Sequence, residues 1–170
     1  MKVKLIHWTL EHQKELVELC NRVERTYLSL RIPQPSPRQD AVDWLTMVQN
    51  EDGKSGLFRA VTVDDIIVGT ISLEQKADVY SVDAEIGYFL DPGLRKQGIM
   101  TEAVRQMVLL GFDRLDIERI TGKVYAPNSP SRKVLEANGF QLEGIMKKAA
   151  RRHDELYDVC IYGRIKNPID

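Results

Sequence analysis

The residues whose types and spacing could do chemistry are concentrated in one stretch, LDPGLRKQGIMTEAV, residues 90–104. Before it, DAEIGYFL (83–90) alternates and is rich in β-formers. After it, Met100, Ala103, Val104, Met107, Val108, Gly111, Phe112 and Leu115 recur at helical spacing. A chain that leaves a strand through Asp91-Pro92-Gly93, passes Arg95, Lys96 and Gly98, and enters a helix at once turns outward main-chain N–H groups that have no helical acceptor. The helix macrodipole adds positive potential there. Residues 96–101 are therefore suited to holding a phosphate, with Gly98 allowing close approach of the backbone. An ordinary strand-to-helix turn with no ligand would produce the same pattern, and exposed Arg-Lys pairs commonly face only solvent.

Three phosphate ligands could use such a loop. A nucleoside triphosphate calls for GxxxxGK followed by Ser or Thr, but after Gly93 and Gly98 the chain continues Ile99-Met100 and places no group for magnesium. A dinucleotide calls for GxGxxG in an early βαβ unit, and that spacing is absent. The pyrophosphate of coenzyme A needs neither motif and no metal.

The surrounding elements must position this junction. Residues 3–7 form a short strand, and Thr9 caps a helix running to about Val23. RIPQPSPRQD cannot be regular helix, and helix resumes near Pro37 and ends at Asp52-Gly53. LFRAVTV and IIVGTISLEQ, joined by Asp64-Asp65, read as a hairpin. Residues 118–125 form a strand, 128–138 a helix stopped by Gly139, and FQLEGIMKKAA with HDELYDVCIYGRI a last pair of strands. The order β α α β β β α β α β β predicts an α+β, or mixed α/β, sheet in one domain over residues 1–170.

The totals fit this. The 170 residues carry a net charge of −1, so no general attraction to nucleic acid or anionic membrane is expected, and no direct nucleic-acid binding. No apolar run suits a signal peptide or a membrane span, so a cytoplasmic protein is expected. Cys20 and Cys160 make no disulfide framework, and His7, His12 and His153 lack metal-ligand spacing, so no metal is expected.

Three stretches, in order and over nearly the whole chain, resemble the GCN5-related N-acetyltransferase (GNAT) family. RKQGIM fills the family's acyl-CoA loop, Q/R-x-x-G-x-G/A, with Arg95 and Gly98, and Met100 departs from the usual small residue. NSPSRKVLEANGF is similar to the N-x-x-S/A…GF segment, with Asn128, Ser131, Gly139 and Phe140 in place. AEIGYFLDP resembles the strand that carries the pantetheine arm, and GIMTEA looks like the RimJ/RimL branch, which acetylates ribosomal-protein N-termini, and its polyamine-acetylating relatives.

The resemblance implies a mixed, mostly antiparallel sheet of about seven strands with about four helices, and acetyl-CoA as co-substrate without metal. It implies that Arg95, Lys96, Gln97, Gly98, Ile99, Met100 and Thr101 surround the pyrophosphate. Pantetheine would lie between two splayed parallel strands, 82–90 and 119–125, on the main chain of Phe89 and Leu90, with a backbone N–H near Tyr88 or Phe89 polarising the thioester and Asn128 holding the coenzyme. The amine must lose a proton, and Glu85 is the candidate base. It alternates with Ala84, Ile86 and Tyr88 on the other face, and its bland alternative is a rim carboxylate satisfied by a neighbouring strand. Leu135 stands where much of the family has a tyrosine acid, which leaves Ser131, as in some RimL-like proteins, or a helix-capping role for that serine. Tyr157 and Tyr162 are lesser candidates. No covalent acyl-enzyme is expected, because neither cysteine has an evident histidine partner.

The acceptor amine would be read by residues 25–40 and the last hairpin, where KKAARRH (147–153) weakly disfavours a polycation. A protein N-terminus, another peptide amine and a small-molecule amine or polyamine stay open, as do a homodimer and a non-catalytic acyl-CoA-binding module.

Overall fold

The computed structural model describes residues 1–168. Seven strands and four helices occur in the expected order: β1 (Val3–His7), α1 (Gln13–Arg22), α2 (Arg38–Glu51), β2 (Gly56–Val63), β3 (Ile66–Gln75), β4 (Asp83–Leu90), α3 (Ile99–Arg114), β5 (Arg119–Tyr125), α4 (Ser129–Ala137), β6 (Gln141–Arg152) and β7 (Glu155–Ile165). The strands make one sheet in the order β1-β2-β3-β4-β5-β7-β6. Every neighbouring pair is antiparallel except β4–β5, which is parallel. The expected mixed, mostly antiparallel sheet is the one observed.

Strand alternation gives the sheet two apolar faces. On one, Ile71, Leu73, Ala84, Ile86 and Ile120 pack against the stripe of α3, including Met107 and Val108, and against Leu135 of α4. On the other, Phe58, Ala60 and Phe89 pack with Trp8, Leu16 of α1 and Leu45 of α2. Any group near the middle of the sheet thus faces either the α3–α4 side or the α1–α2 side.

The parallel pair is closed at one end and open at the other. At the closed end Asp83, only 7% exposed, lies 2.8 and 2.9 Å from the Thr121 hydroxyl, which donates to it across the two strands. Lys76 adds an ion pair at 2.5 Å. Arg119 donates to the Thr121 oxygen at 3.0 Å and bonds Glu143 of β6 at 2.6 Å, which holds that carboxyl below its ordinary range. Parallel pairing ends at Ile86–Gly122. Beyond it β4 follows β3 to Leu90–Gly69, while β5 follows β7 to Tyr125–Val159, so the two strands part. Thr121→Val should leave a buried carboxylate short of a donor. It should lower stability by about 1–3 kcal/mol in urea unfolding, with Thr121→Ser restoring most of it. A valine variant as stable as wild type would remove this role.

Candidate active site

At the β4–α3 junction the chain makes a short 3-10 turn, Pro92–Leu94, in which the Asp91 carboxylate accepts from Gly93 N–H at 3.0 Å. Lys96 and Gly98 then take positive φ, +62° and +76°. Gly98 is the N-cap of α3, and its carbonyl accepts the first helical bond, from Glu102 N–H at 3.0 Å. The N–H groups of Ile99, Met100 and Thr101 precede that bond and have no helical acceptor. A Cβ on Gly98 would meet nothing within 4 Å, so a side chain there would project in front of the helix rather than into the protein. Ile99 and Met100 are buried in the core below. The methionine that departs from the family pattern therefore turns away from the N–H groups and does not narrow the approach to them. Arg95 reaches Glu24 at 3.7 Å, and Arg22 pairs with Asp91 at 3.0 Å, so two ion pairs tie this loop to the end of α1.

Main-chain direction where β4 and β5 part follows from the ladders that flank them. Asp91 N–H bonds the Val68 carbonyl at 2.8 Å and Lys76 N–H bonds that of Asp83 at 2.9 Å. Alternation between those two points turns the odd-numbered residues of β4 toward β3 and leaves the main chain of Tyr88 and Leu90 facing the divergence. Leu90 thus turns its main chain to the divergence. Phe89 does not: its main chain faces Thr70 of β3, and its side chain packs in the α1–α2 cluster. Of the two N–H groups considered for polarising a thioester, that of Tyr88 faces the divergence. On β5, bonds from Ala126 N–H to Asp158 and from Lys166 N–H to Glu118, each 2.8 Å, likewise leave Lys123 and Tyr125 facing β4.

A cavity of about 510 Å³ fills the divergence, and both candidate proton carriers line it. They reach it from opposite sides of the sheet. Glu85 is on the α1–α2 face, where Lys123 of β5 holds its carboxylate at 3.2 Å. Ser131 is on α4, behind the other face, with its Oγ 3.0 Å from the Tyr88 hydroxyl. That hydroxyl also lies 3.2 Å from the Ser131 carbonyl. Burial pushes the Tyr88 phenol up to about 12, against the opposing effect of the Ser131 bond. Capping of α4 falls to Asn128, whose Oδ1 accepts from Ser131 N–H at 3.4 Å, so the serine hydroxyl is left for Tyr88 and the cavity. Asn128 lines the cavity as well. Leu135 is 1% exposed and packs on Gly122, where a Cβ would come within 2.7 Å of its Cδ1.

The lesser candidates fall elsewhere. Tyr162 is fully buried and donates to Glu136 at 2.7 Å while accepting from Arg132 at 3.0 Å, which fastens α4 to β7. Tyr157 donates to Glu155 at 2.5 Å and packs edge-on against Tyr125 at 5.4 Å. Cys20 and Cys160 are both buried, and burial pushes the Cys20 thiol up, so neither is an exposed nucleophile. Among the described residues no group of three or more His, Cys, Asp and Glu could hold a metal ion, and no helix is long and apolar enough to cross a membrane.

The sequence reading missed the Tyr88 hydroxyl, because alternation assigned it to the core and the α4 hydroxyl it meets is 43 residues away. It also missed the Lys123–Glu85 pair, which joins charges on two strands 38 residues apart in sequence.

Loop, parted strands and cavity form one candidate site, and comparison with known proteins gives the family to which the chain belongs. A family model described as an acetyltransferase (GNAT) domain matches residues 2–141. The chain is 43% identical over 122 residues to a probable N-acetyltransferase, YjcK, of Bacillus subtilis; the match spans 72% of this chain and 66% of that protein, just under two thirds. It is 30% identical over 159 residues to the ribosomal-protein-serine acetyltransferase of Escherichia coli, covering 91% of this chain and 87% of that one. Among solved structures, the microcin C7 self-immunity acetyltransferase MccE, in complex with acetyl-CoA and AMP, has the same fold, with a TM-score of 0.85 at 23% identity over 97% of this chain and 93% of that one. The chain belongs to the GNAT acetyltransferase family.

Proposed function

We propose that this protein transfers an acetyl group from acetyl-CoA to an α-amine by direct attack within a ternary complex. Glu85 takes the proton that the amine loses, and Ser131 gives a proton to the departing thiolate. The observation that carries this reading is the single cavity reached by Glu85 from the α1–α2 face and by Ser131 from the α4 side. An amine entering past α1 and α2 would meet the base first, with the thiol leaving toward α4. The N–H groups of residues 99–101 would take the pyrophosphate, and the Tyr88 N–H the thioester oxygen. One preorganised donor of that kind is worth about 3 kcal/mol in the transition state. The buried cysteines favour direct transfer over an acyl-enzyme. Similarity to a ribosomal-protein-serine acetyltransferase supports an α-amine, a protein N-terminus among them.

The test is release of free thiol from acetyl-CoA with a panel of amines: peptides with free N-termini, amino acids, a lysine side-chain analogue and spermidine. Turnover with α-amines is expected, and it should survive a chelator. Binding of coenzyme with no turnover on any amine would overturn the reading. Activity lost to chelator and restored by zinc or magnesium would overturn the metal-free route.

A further inference from the structure

The cavity carries one cation that the chemistry above does not use. Three charged side chains line the cavity: Glu85, Lys123 and Arg151. Lys123 is engaged by Glu85 at 3.2 Å. Arg151, near the end of β6, is exposed and has no acidic side chain within 4 Å among the described residues. Its neighbours in the basic run are differently engaged. Lys147 pairs with Asp158 at 3.2 Å, and Arg152 is buried with its guanidinium on the Leu28 carbonyl. The run that sequence reading took as a whole is thus divided, and Arg151 is the member that lines the cavity.

Another part of the cavity wall is held in place. Arg25 donates to the carbonyls of Cys20, Ile32 and Pro33 at 2.7, 2.8 and 3.2 Å, and Arg152 fastens Leu28 from the other side. This pins the segment that brings Tyr27, Ser29 and Leu30 to the cavity. Leu30 is 70% exposed there, and the Tyr27 and Tyr125 rings lie 5.5 Å apart. The cavity therefore brings together an apolar surface, a carboxylate, Glu85, and a guanidinium, Arg151.

We infer that the acceptor carries a carboxylate within a few bonds of the amine that is acetylated, and that Arg151 is its partner. This rests on the α-amine reading above. A guanidinium pairs with a carboxylate through two parallel N–H bonds, and it repels a second cation. A polyamine is disfavoured on the same ground. The carboxylate can be the acceptor's own, in a free amino acid, or the side chain of an acidic second residue at a peptide N-terminus. The first side chain rests on Leu30 and Tyr27.

Four amines separate the cases: L-phenylalanine, its carboxamide, and the dipeptide amides Phe-Asp and Phe-Asn. Each is assayed by kcat/KM with wild type, Arg151→Ala and Arg151→Lys. The carboxamide has the less basic amine, so intrinsic reactivity favours it, and a preference for the acid has to come from the protein. One member of one acidic/neutral pair is expected to win by at least about tenfold, the size of one charge-assisted contact. In Arg151→Ala that ratio should collapse toward one, and Arg151→Lys should recover part of it. A win for phenylalanine identifies the acceptor's own carboxylate, and a win for Phe-Asp identifies an acidic second residue. Equal rates within both pairs, or a ratio insensitive to Arg151→Ala, would overturn the inference while leaving the protein an acetyltransferase. No acetylation of any of these amines would overturn both readings.

Discussion

Gly98→Asp is expected to weaken acetyl-CoA binding by at least about a hundredfold, or roughly 3 kcal/mol, in a protein that stays folded. The fold should persist because a Cβ at residue 98 meets no atom within 4 Å, and because aspartate enters the left-handed region, here φ +76°, more readily than most residues. The strain should be near 1 kcal/mol. The loss of binding has two sources. The new carboxylate would accept from the N–H groups of residues 99–101, as an N-cap aspartate does, and so fill the anion site with the protein's own charge. It would also repel the pyrophosphate. Gly98→Ala carries only the backbone strain and the bulk of one methyl, and should fall between the two. Titration calorimetry on variants of matched circular dichroism decides the matter. Undiminished affinity in a folded Gly98→Asp protein would place the coenzyme elsewhere.

The parts of this site legible in sequence are those made by local chain geometry. The RKQGIM loop could be read because strand end, positive-φ glycine and helix start are consecutive, and the physics of a helix N-terminus needs no distant partner. Glu85 could be assigned to a face because alternation along a strand fixes it. What could not be read depends on which ladder each strand follows. Phe89 and Leu90 are adjacent and similar in type, yet the β3–β4 register turns one main chain away from the divergence and the other toward it. The Ser131 hydroxyl could be read as a helix cap as well as a proton donor, because it lies in the first turn of α4. Only the structure gives the cap to Asn128 and brings Tyr88 to the serine. Arg151 and Arg152 are adjacent in one basic run of β6, and one lines the cavity while the other reaches into the loop after α1.

That new pairing sharpens the second large effect, which concerns how protons move. An α-amine titrates near about 8, so at neutral pH most of the acceptor is ammonium and needs a base. With Glu85 as that base, Glu85→Gln should lower kcat by about 10²–10⁴ below pH 7. The deficit should shrink as pH approaches the amine's own value, because neutral amine then arrives unaided. Ser131→Ala should lower kcat by a similar factor at every pH, with little change in KM for the acceptor, since it serves the departing thiolate. Tyr88 gives the discriminating control. Burial pushes its phenol up to about 12, so it stays protonated across any practical assay range, and no limb of the pH–rate profile below that value belongs to it. Its hydroxyl lies 3.0 Å from the Ser131 oxygen, which places Tyr88 to orient the serine. Tyr88→Phe should therefore cost less than Ser131→Ala and leave the profile's shape as in wild type. The double variant should be no slower than Ser131→Ala alone, because the tyrosine acts through the serine. A Glu85→Gln profile parallel to wild type would remove Glu85 as the base. A fully active Ser131→Ala would hand the thiolate's proton to water, and a Tyr88→Phe variant slower than Ser131→Ala would make the tyrosine itself the donor.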